Sequence, residues 1–404
     1  MPGISWFSFI FLFLIPFLLC WSTVRLLARL HPIYRRCPVR AAYWLASGAS
    51  VAVLVASRWL RFDGIQPDWF RFLMYVAYVW IIAQLLLLLI LIIFFLADWL
   101  AGKVKAGRRD NAAATARTGG ITRREFLRTA VAAAPLLSLA VTARTVYATD
   151  ATVAVNRYRL AFDGLPDSLA GLKIAQISDT HIGPFFSLAK FERVLAMVET
   201  ERPDLLAVTG DLIDDLALLD GAVKLLTDFQ PRLPLGIYFC WGNHEYFRDI
   251  GRIRRALMDS PVTILENRAA KVLDGERPLY LAGVDYPWAK SGAAQVERRR
   301  FLIEKALSQV PPAAFTILLT HHSDFLANAF AAEVPLTLAG HTHGGQVVVF
   351  GRSLLPVQYT FMRGLYRQGR SYGYVHAGTG HWLPLRVGCP AEISLFTLAR
   401  GAIT

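Results

Sequence analysis

The sequence predicts an α/β domain, strands alternating with helices, joined to an N-terminal region of membrane-spanning helices. Three observations carry this reading. Short apolar runs in the second half each end at a cluster of polar residues. Segments with a helical apolar period fill the intervals between them. The first hundred residues hold long stretches without charge.

Leu172 to Ile177 reads as a buried strand ending at Ser178-Asp179-Thr180-His181, and Leu205 to Val208 ends at Thr209-Gly210-Asp211. Ile237 to Cys240 precedes Trp241-Gly242-Asn243-His244-Glu245. Phe315 to Leu319 leads into Thr320-His321-His322, and Leu336 to Leu338 into Ala339-Gly340-His341-Thr342-His343. Near-continuous apolar strands belong to sheets covered on both faces, and ligands of such sheets gather beyond the carboxyl ends of the strands. Five strand ends can therefore converge on one spot. Helical patterns at 188–201, 216–229, 250–260 and 294–310 alternate with the strands.

The chain has nine histidines, and six of them (His181, His244, His321, His322, His341 and His343) fall in these clusters. Packing alone does not distribute histidine that way. Asp179 and His181 are two apart, so in strand geometry both side chains leave on one side and can grip one ion. Asp211 is the natural carboxylate to bridge two cations. Mixed oxygen and imidazole donors suit Mn²⁺, Fe or Zn²⁺. Two such ions about 3.5–4 Å apart clamp the attacking and departing oxygens of an in-line displacement.

The pattern D-x-H … G-D … G-N-H-[DE] … H … G-H-x-H, spanning Gly171 to Leu398, resembles the calcineurin-like metallophosphoesterase superfamily. The resemblance implies a sandwich of two mixed sheets flanked by helices. It implies one metal held by Asp179, His181, Asp211 and His343, and a second held by Asp211, Asn243, His321 and His341. A hydroxide bridging the metals would attack phosphorus, while His244 would stabilise the transition state or protonate the leaving group. Asp211, Asn243 and His244 would then be the catalytic group. The strings Gly340-His341-Thr342-His343-Gly344-Gly345-Gln346 and Pro384-Leu385-Arg386-Val387-Gly388-Cys389-Pro390 resemble a membrane-associated bacterial branch, which includes enzymes cleaving UDP-2,3-diacylglucosamine and related phosphodiesters.

Other polar residues near the motifs receive humbler expectations. Arg386 is a bidentate donor for a substrate phosphate. His322 supports the site or merely packs, and His376 and His381 are structural. Asp214 and Asp215 are solvated, and Ser323 with Asp324 caps the helix that follows.

The first part of the chain is a different material. Met1 to Val24 carries no charge, nor does Phe72 to Ala97, and each is long enough for the ~20 residues that cross a bilayer. Ala41 to Ser57 is a weaker third span, bracketed by Arg40 and Arg58. Trp44, Trp59, Trp69 and Trp99 fit an interfacial aromatic belt. Residues 1–148 hold 17 Lys and Arg against 5 Asp and Glu, whereas residues 149–404 hold 26 against 25. The net charge of +13 thus belongs to the membrane flanks, and a near-neutral second part argues against nucleic acid as a partner. Basic residues crowd the loop at 25–40 and the segment at 103–128, so these are cytoplasmic and the N-terminus is outside.

Thr122-Arg123-Arg124-Glu125-Phe126-Leu127-Arg128, followed by an Ala-rich stretch from Thr129 to Ala143, resembles a twin-arginine export signal, with Val141-Thr142-Ala143 as a cleavage site. It implies the export machinery as a partner and the second part on the periplasmic side of a bacterial inner membrane. Uncut, the stretch is a fourth span. A juxtamembrane linker, with the enzyme left in the cytoplasm, is the alternative. Four cysteines do not make a disulfide scaffold.

The organisation expected is therefore a transmembrane region at 1–102, a basic linker with the signal-like segment at 103–148, and a catalytic domain at 149–404. The function expected is a membrane-anchored dimetal phosphodiesterase, its substrate lipid-linked or from the cell envelope. A cytoplasm-facing UDP-2,3-diacylglucosamine pyrophosphatase and a non-catalytic membrane scaffold or sensor are the alternatives.

Overall fold

Runs of Leu, Ile and Phe without a helix breaker fold as expected into long helices. The computed structural model describes residues 13–59, 67–106, 129–354 and 359–401. It divides into two units, Met1–Ala148 and Thr149–Thr404. The first contains helices Ile15–Leu30, Cys37–Trp59 and Asp68–Ala106, and Ala134–Ala151 follows them. Among the described residues two helices are long and apolar enough to cross a membrane, Cys37–Ser57 and Asp68–Lys103. They contain the expected spans 41–57 and 72–97. Residues 1–12 of the first expected span, and Thr122 to Arg128 of the signal-like motif, lie outside the described residues.

Inside this unit Leu27, Leu87 and Leu91 are fully buried against one another. Thr23 donates its hydroxyl to Gln84 Oε1 at 2.8 Å. A polar side chain on an apolar helix needs such a partner, because lipid offers none.

The second unit is a sandwich of two six-stranded sheets. Its strands are β1 (Val153–Phe162), β2 (Lys173–Ile177), β3 (Leu205–Val208), β4 (Gly236–Phe239), β5 (Thr263–Ile264), β6 (Arg268–Leu273), β7 (Leu279–Gly283), β8 (Phe315–Leu319), β9 (Leu336–Ala339), β10 (Val348–Val349), β11 (Arg352–Ser353), β12 (Gly364–Gln368), β13 (Ser371–Val375) and β14 (Ala391–Arg400). The first sheet runs β1-β14-β2-β3-β4-β5, parallel from β2 to β5. The second runs β12-β13-β9-β8-β7-β6, parallel from β13 to β7. Strands β10 and β11 form a separate small hairpin.

Apolar residues on both faces of the central strands explain the layering. Ile174, Leu205 and Tyr238 of the first sheet pack against Leu281, Phe315, Ile317 and Leu336 of the second, filling the interlayer. The opposite faces, with Ala175, Ile177, Leu206 and Phe239, take Val194, Val198, Leu226 and Ile253 from helices Leu188–Thr200, Leu219–Phe229 and Ile250–Met258. Helices Gly292–Leu307 and Phe325–Ala331 cover the second sheet. Gln176 joins the layers under the site: its amide donates to Thr209 Oγ1 and to the carbonyl of Ala339, both at 2.9 Å.

Candidate metal centre

β2, β3, β4, β8 and β9 end side by side in two parallel arrays, and the five polar clusters leave from those ends. The turns they make are tight. Asp179, His181, Asp211, His341 and His343 all adopt positive φ, between 48° and 78°. Left-handed backbone in a non-glycine residue costs on the order of 1–3 kcal/mol and collects where function demands it. Cross-loop bonds hold it: Asp179 N donates to Gly210 O, His181 N to Asp211 O and Gly340 N to His321 O, each at 3.0 Å. Gly340 also has no room for a side chain, because a Cβ there would strike Ser178 Oγ and the Asp179 carboxylate.

The donors face one another in three overlapping groups, two of which contain Asp211. Asp179, His181 and His343 form one, Asp211, His321 and His341 another, and His181 also meets Asp211 and His244. His181 Nε2 is 3.0 Å from His343 Nε2 and 3.6 Å from Asp211 Oδ2. His343 Nε2 is 3.4 Å from Asp179 Oδ1. His321 Nε2 lies 3.2 Å from Asp211 Oδ2 and 3.1 Å from His341 Nδ1. Such separations are the edges expected of a coordination shell with bonds of about 2.0–2.2 Å. Asn243 opens the short helix after β4, and its buried Oδ1 has no hydrogen-bond partner. An orphaned carbonyl oxygen in a buried site calls for a cation or a donor. The residues fit a pair of divalent ions.

Outer partners aim the rings. His181 donates Nδ1–H to Asp214 Oδ2 at 3.2 Å and His321 donates Nδ1–H to Thr209 O at 2.7 Å, so each turns Nε2 inward. Placing the His341 proton on Nε2, where Tyr359 Oη accepts it at 2.7 Å, turns Nδ1 toward His321. His322 stacks on His341 at 5.3 Å and is pushed down to about 3 by burial and by Arg299, so it packs as a neutral ring.

Charge is concentrated here. Burial opposes protonation of His321, yet the Asp211 and Asp179 carboxylates overcome it and push its pKa up to about 10. His341 and His343 are held well below their ordinary range by burial and by neighbouring cations, which keeps them neutral as metal ligands must be. Burial would raise Asp211, but His321, His244 and His181 hold it well below the usual carboxylate range.

Three expectations need correction. Asp214 is not solvated: its side chain is only 9% exposed, with Oδ1 accepting from His244 Nδ1 at 2.7 Å and Arg248 at 3.0 Å while Oδ2 faces His181. It ties a ring of the first donor group to His244. The available signal was a second acid three residues beyond Asp211 in the same loop. Arg386 was expected at a substrate phosphate. Instead it is buried, giving hydrogen bonds to the carbonyls of Ala377 and Gly380 at 2.6 Å and lying 3.2 Å from His343 Nδ1. It seats the His343 ring. Asp324 precedes its helix without capping it, because its Oδ1 takes the Thr360 amide at 2.9 Å. His376 and His381 are buried. All four cysteines are free thiols.

Asp214→Asn keeps the volume but loses the charge that orients two imidazoles. Turnover of the metal-loaded protein should fall about 10–100-fold, the usual cost of an outer partner. Steady-state kinetics beside a thermal melt that stays in place would check this.

A metal-ligand architecture built at the ends of parallel strands in a two-sheet sandwich defines a metal-dependent phosphoesterase class. Residues 172–345 match the calcineurin-like phosphoesterase family. The uncharacterized metallophosphoesterase of Aquifex aeolicus (strain VF5) is 30% identical over 248 residues, 60% of this chain and 91% of that protein. This chain belongs to that family. The "Transmembrane protein with metallophosphoesterase domain" of Danio rerio is 34% identical over 244 residues, 58% of this chain and 54% of its own length. The chain thus spans about half the length of such curated relatives. The solved dimetal phosphatase of Danio rerio aligns with 52% of this chain and 88% of its own, with a TM-score of 0.35 and 11% identity.

Proposed function

We propose that the chain is a membrane-anchored dimetal phosphodiesterase acting on a lipid-linked or cell-envelope phosphoester. The carrying observation is the chain of overlapping donor groups linked through His181 and Asp211, together with the buried, unpartnered Oδ1 of Asn243 after β4. Asp179, His181, Asp211 and His343 would hold one ion, and Asp211, Asn243, His321 and His341 the other. Bound ions would neutralise phosphoryl charge and lower the pKa of water. His244, half-buried and oriented by Asp214, would deliver a proton to the leaving oxygen. Supporting a hydrophobic substrate are the exposed Phe247 and Trp288, with ring centroids 5.8 Å apart, Phe247 also lying 5.4 Å from His244.

The full chain, purified in detergent, stripped by chelator and reloaded with Mn²⁺, is expected to hydrolyse an aryl phosphodiester and to fall to background again on chelation. Undiminished turnover after stripping would remove the dimetal reading.

The charge asymmetry and the signal-like segment support a periplasmic placement at a bacterial inner membrane. Alkaline phosphatase fused after Ala148 should then be active and a cytoplasmic reporter at the same point silent. The opposite result would favour a cytoplasmic enzyme of the UDP-2,3-diacylglucosamine pyrophosphatase kind.

A further inference from the structure

The small hairpin β10–β11 presents an anomaly. Pairing of Val348 with Ser353 and Val349 with Arg352 leaves a two-residue tip, Phe350-Gly351, and both tip residues have positive φ, 49° and 77°. That is the backbone of a type I′ turn, which favours Asn, Asp or Gly at its first central position. Phenylalanine is a poor choice there, because its Cβ strains in the left-handed region. It is also wholly exposed, at 102%. Neither conformation nor packing within the chain accounts for it. Val349, Leu354 and Trp382 add exposed apolar surface alongside, at 38%, 59% and 47%.

The tip is rigidly mounted. Val348 is buried against Ala377 and Cys389, and its amide donates to Val387 O at 2.8 Å. Leu354 N reaches Val347 O at 2.8 Å, and Ser353 Oγ donates to Gly345 O at 2.9 Å. Gln346 Nε2 donates to Leu383 O at 3.3 Å, which ties the Trp382 loop to the base of the hairpin. β10 begins five residues after His343, so the mount is the metal-ligand loop itself.

Two exposed arginines belong to the hairpin and to a loop bonded near its base. Arg352 lies on the hairpin, and Arg363 reaches Gly388 O at 2.8 Å in the adjoining loop. An aromatic tip flanked by arginines suits the interface of an anionic bilayer, where rings enter the acyl boundary and guanidinium groups meet phosphate. The same chain carries two helices long and apolar enough to cross a membrane, which would hold its globular unit close to a lipid surface.

We propose that Phe350, Val349, Leu354 and Trp382, with Arg352 and Arg363, form a docking surface that inserts into the headgroup layer of an anionic membrane beside the metal centre. The proposal does not depend on catalysis. Hydrogen exchange of the full chain is compared in detergent, in nanodiscs of phosphatidylcholine, and in nanodiscs of phosphatidylcholine mixed with phosphatidylglycerol. Amides of residues 349–354 and 382–385 should exchange about fivefold or more slowly in the anionic discs, the factor a single arginine contact with anionic lipid supplies. Phe350→Asn should abolish that protection without unfolding, because asparagine suits the turn better. It should leave hydrolysis of a soluble aryl phosphodiester unchanged. Equal protection in neutral and anionic discs, protection surviving Phe350→Asn, or protection in detergent that grows with protein concentration, as contact between two copies would give, would each overturn the proposal.

Discussion

Asp211→Ala is expected to lower phosphodiester turnover by well over the roughly 10–100-fold typical of an outer partner, because it deletes a donor common to two of the three overlapping groups. Its Oδ2 faces His321 at 3.2 Å and His181 at 3.6 Å, and its Oδ1 accepts the His244 amide at 2.9 Å. One side chain therefore organises three imidazole-bearing residues. The variant should fold, since the site's carboxylates repel one another and the removed group is desolvated. Elemental analysis of the pure variant should show less bound transition metal per chain than the parent. A variant that keeps both its metal and its rate would sink the shared-ligand assignment.

The second large effect lies in stability. Glu245 is fully buried, and its carboxylate accepts from the amides of Gly242 at 2.9 Å, Asp211 at 3.1 Å and Leu212 at 2.7 Å. Burial and the nearby Asp211 push its pKa up. Glu245→Ala would leave three buried N–H groups without partners, at about 1–3 kcal/mol apiece. Even partial relaxation leaves a loss on the order of 3–5 kcal/mol, a large share of the 5–15 kcal/mol that holds a domain together. A melt of the metal-free second unit, followed by fluorescence, should move down sharply for this variant and little for Asp211→Ala. Equal melts would mean that the Gly242 loop is held by other contacts.

Strands with apolar residues on both faces were legible, because burial on both sides leaves no polar alternation to confuse the reading. β3 and β8 fall at the expected residues, and β2, β4 and β9 shift by one. Helix 188–201 is found at Leu188–Thr200, with Ser187 Oγ capping the Lys190 amide. The strands not read from the sequence include interior ones, β7, β13 and β14, as well as edge strands. β6, with Arg268 and Lys271 outward, and β12, with Arg367 and Gln368, look like loops because only tertiary pairing makes them strands. The candidate ligands were legible as a pattern, since short polar clusters at strand ends stand out against apolar runs. Their supports were not. Asp214, Tyr359 and Arg386 reach the site from positions whose spacing carries no period, and only three-dimensional folding reveals what they touch.

Gln176 has a mechanical consequence. Its single amide spans the seam between the layers, gripping the loop after β3 with one hydrogen and the end of β9 with the other. The two halves of the donor set ride on opposite layers, so slippage between them would change the spacing of both ions at once. A crosslink at that depth makes sliding stiff, and leaves the surface loops as the compliant parts around the donor set.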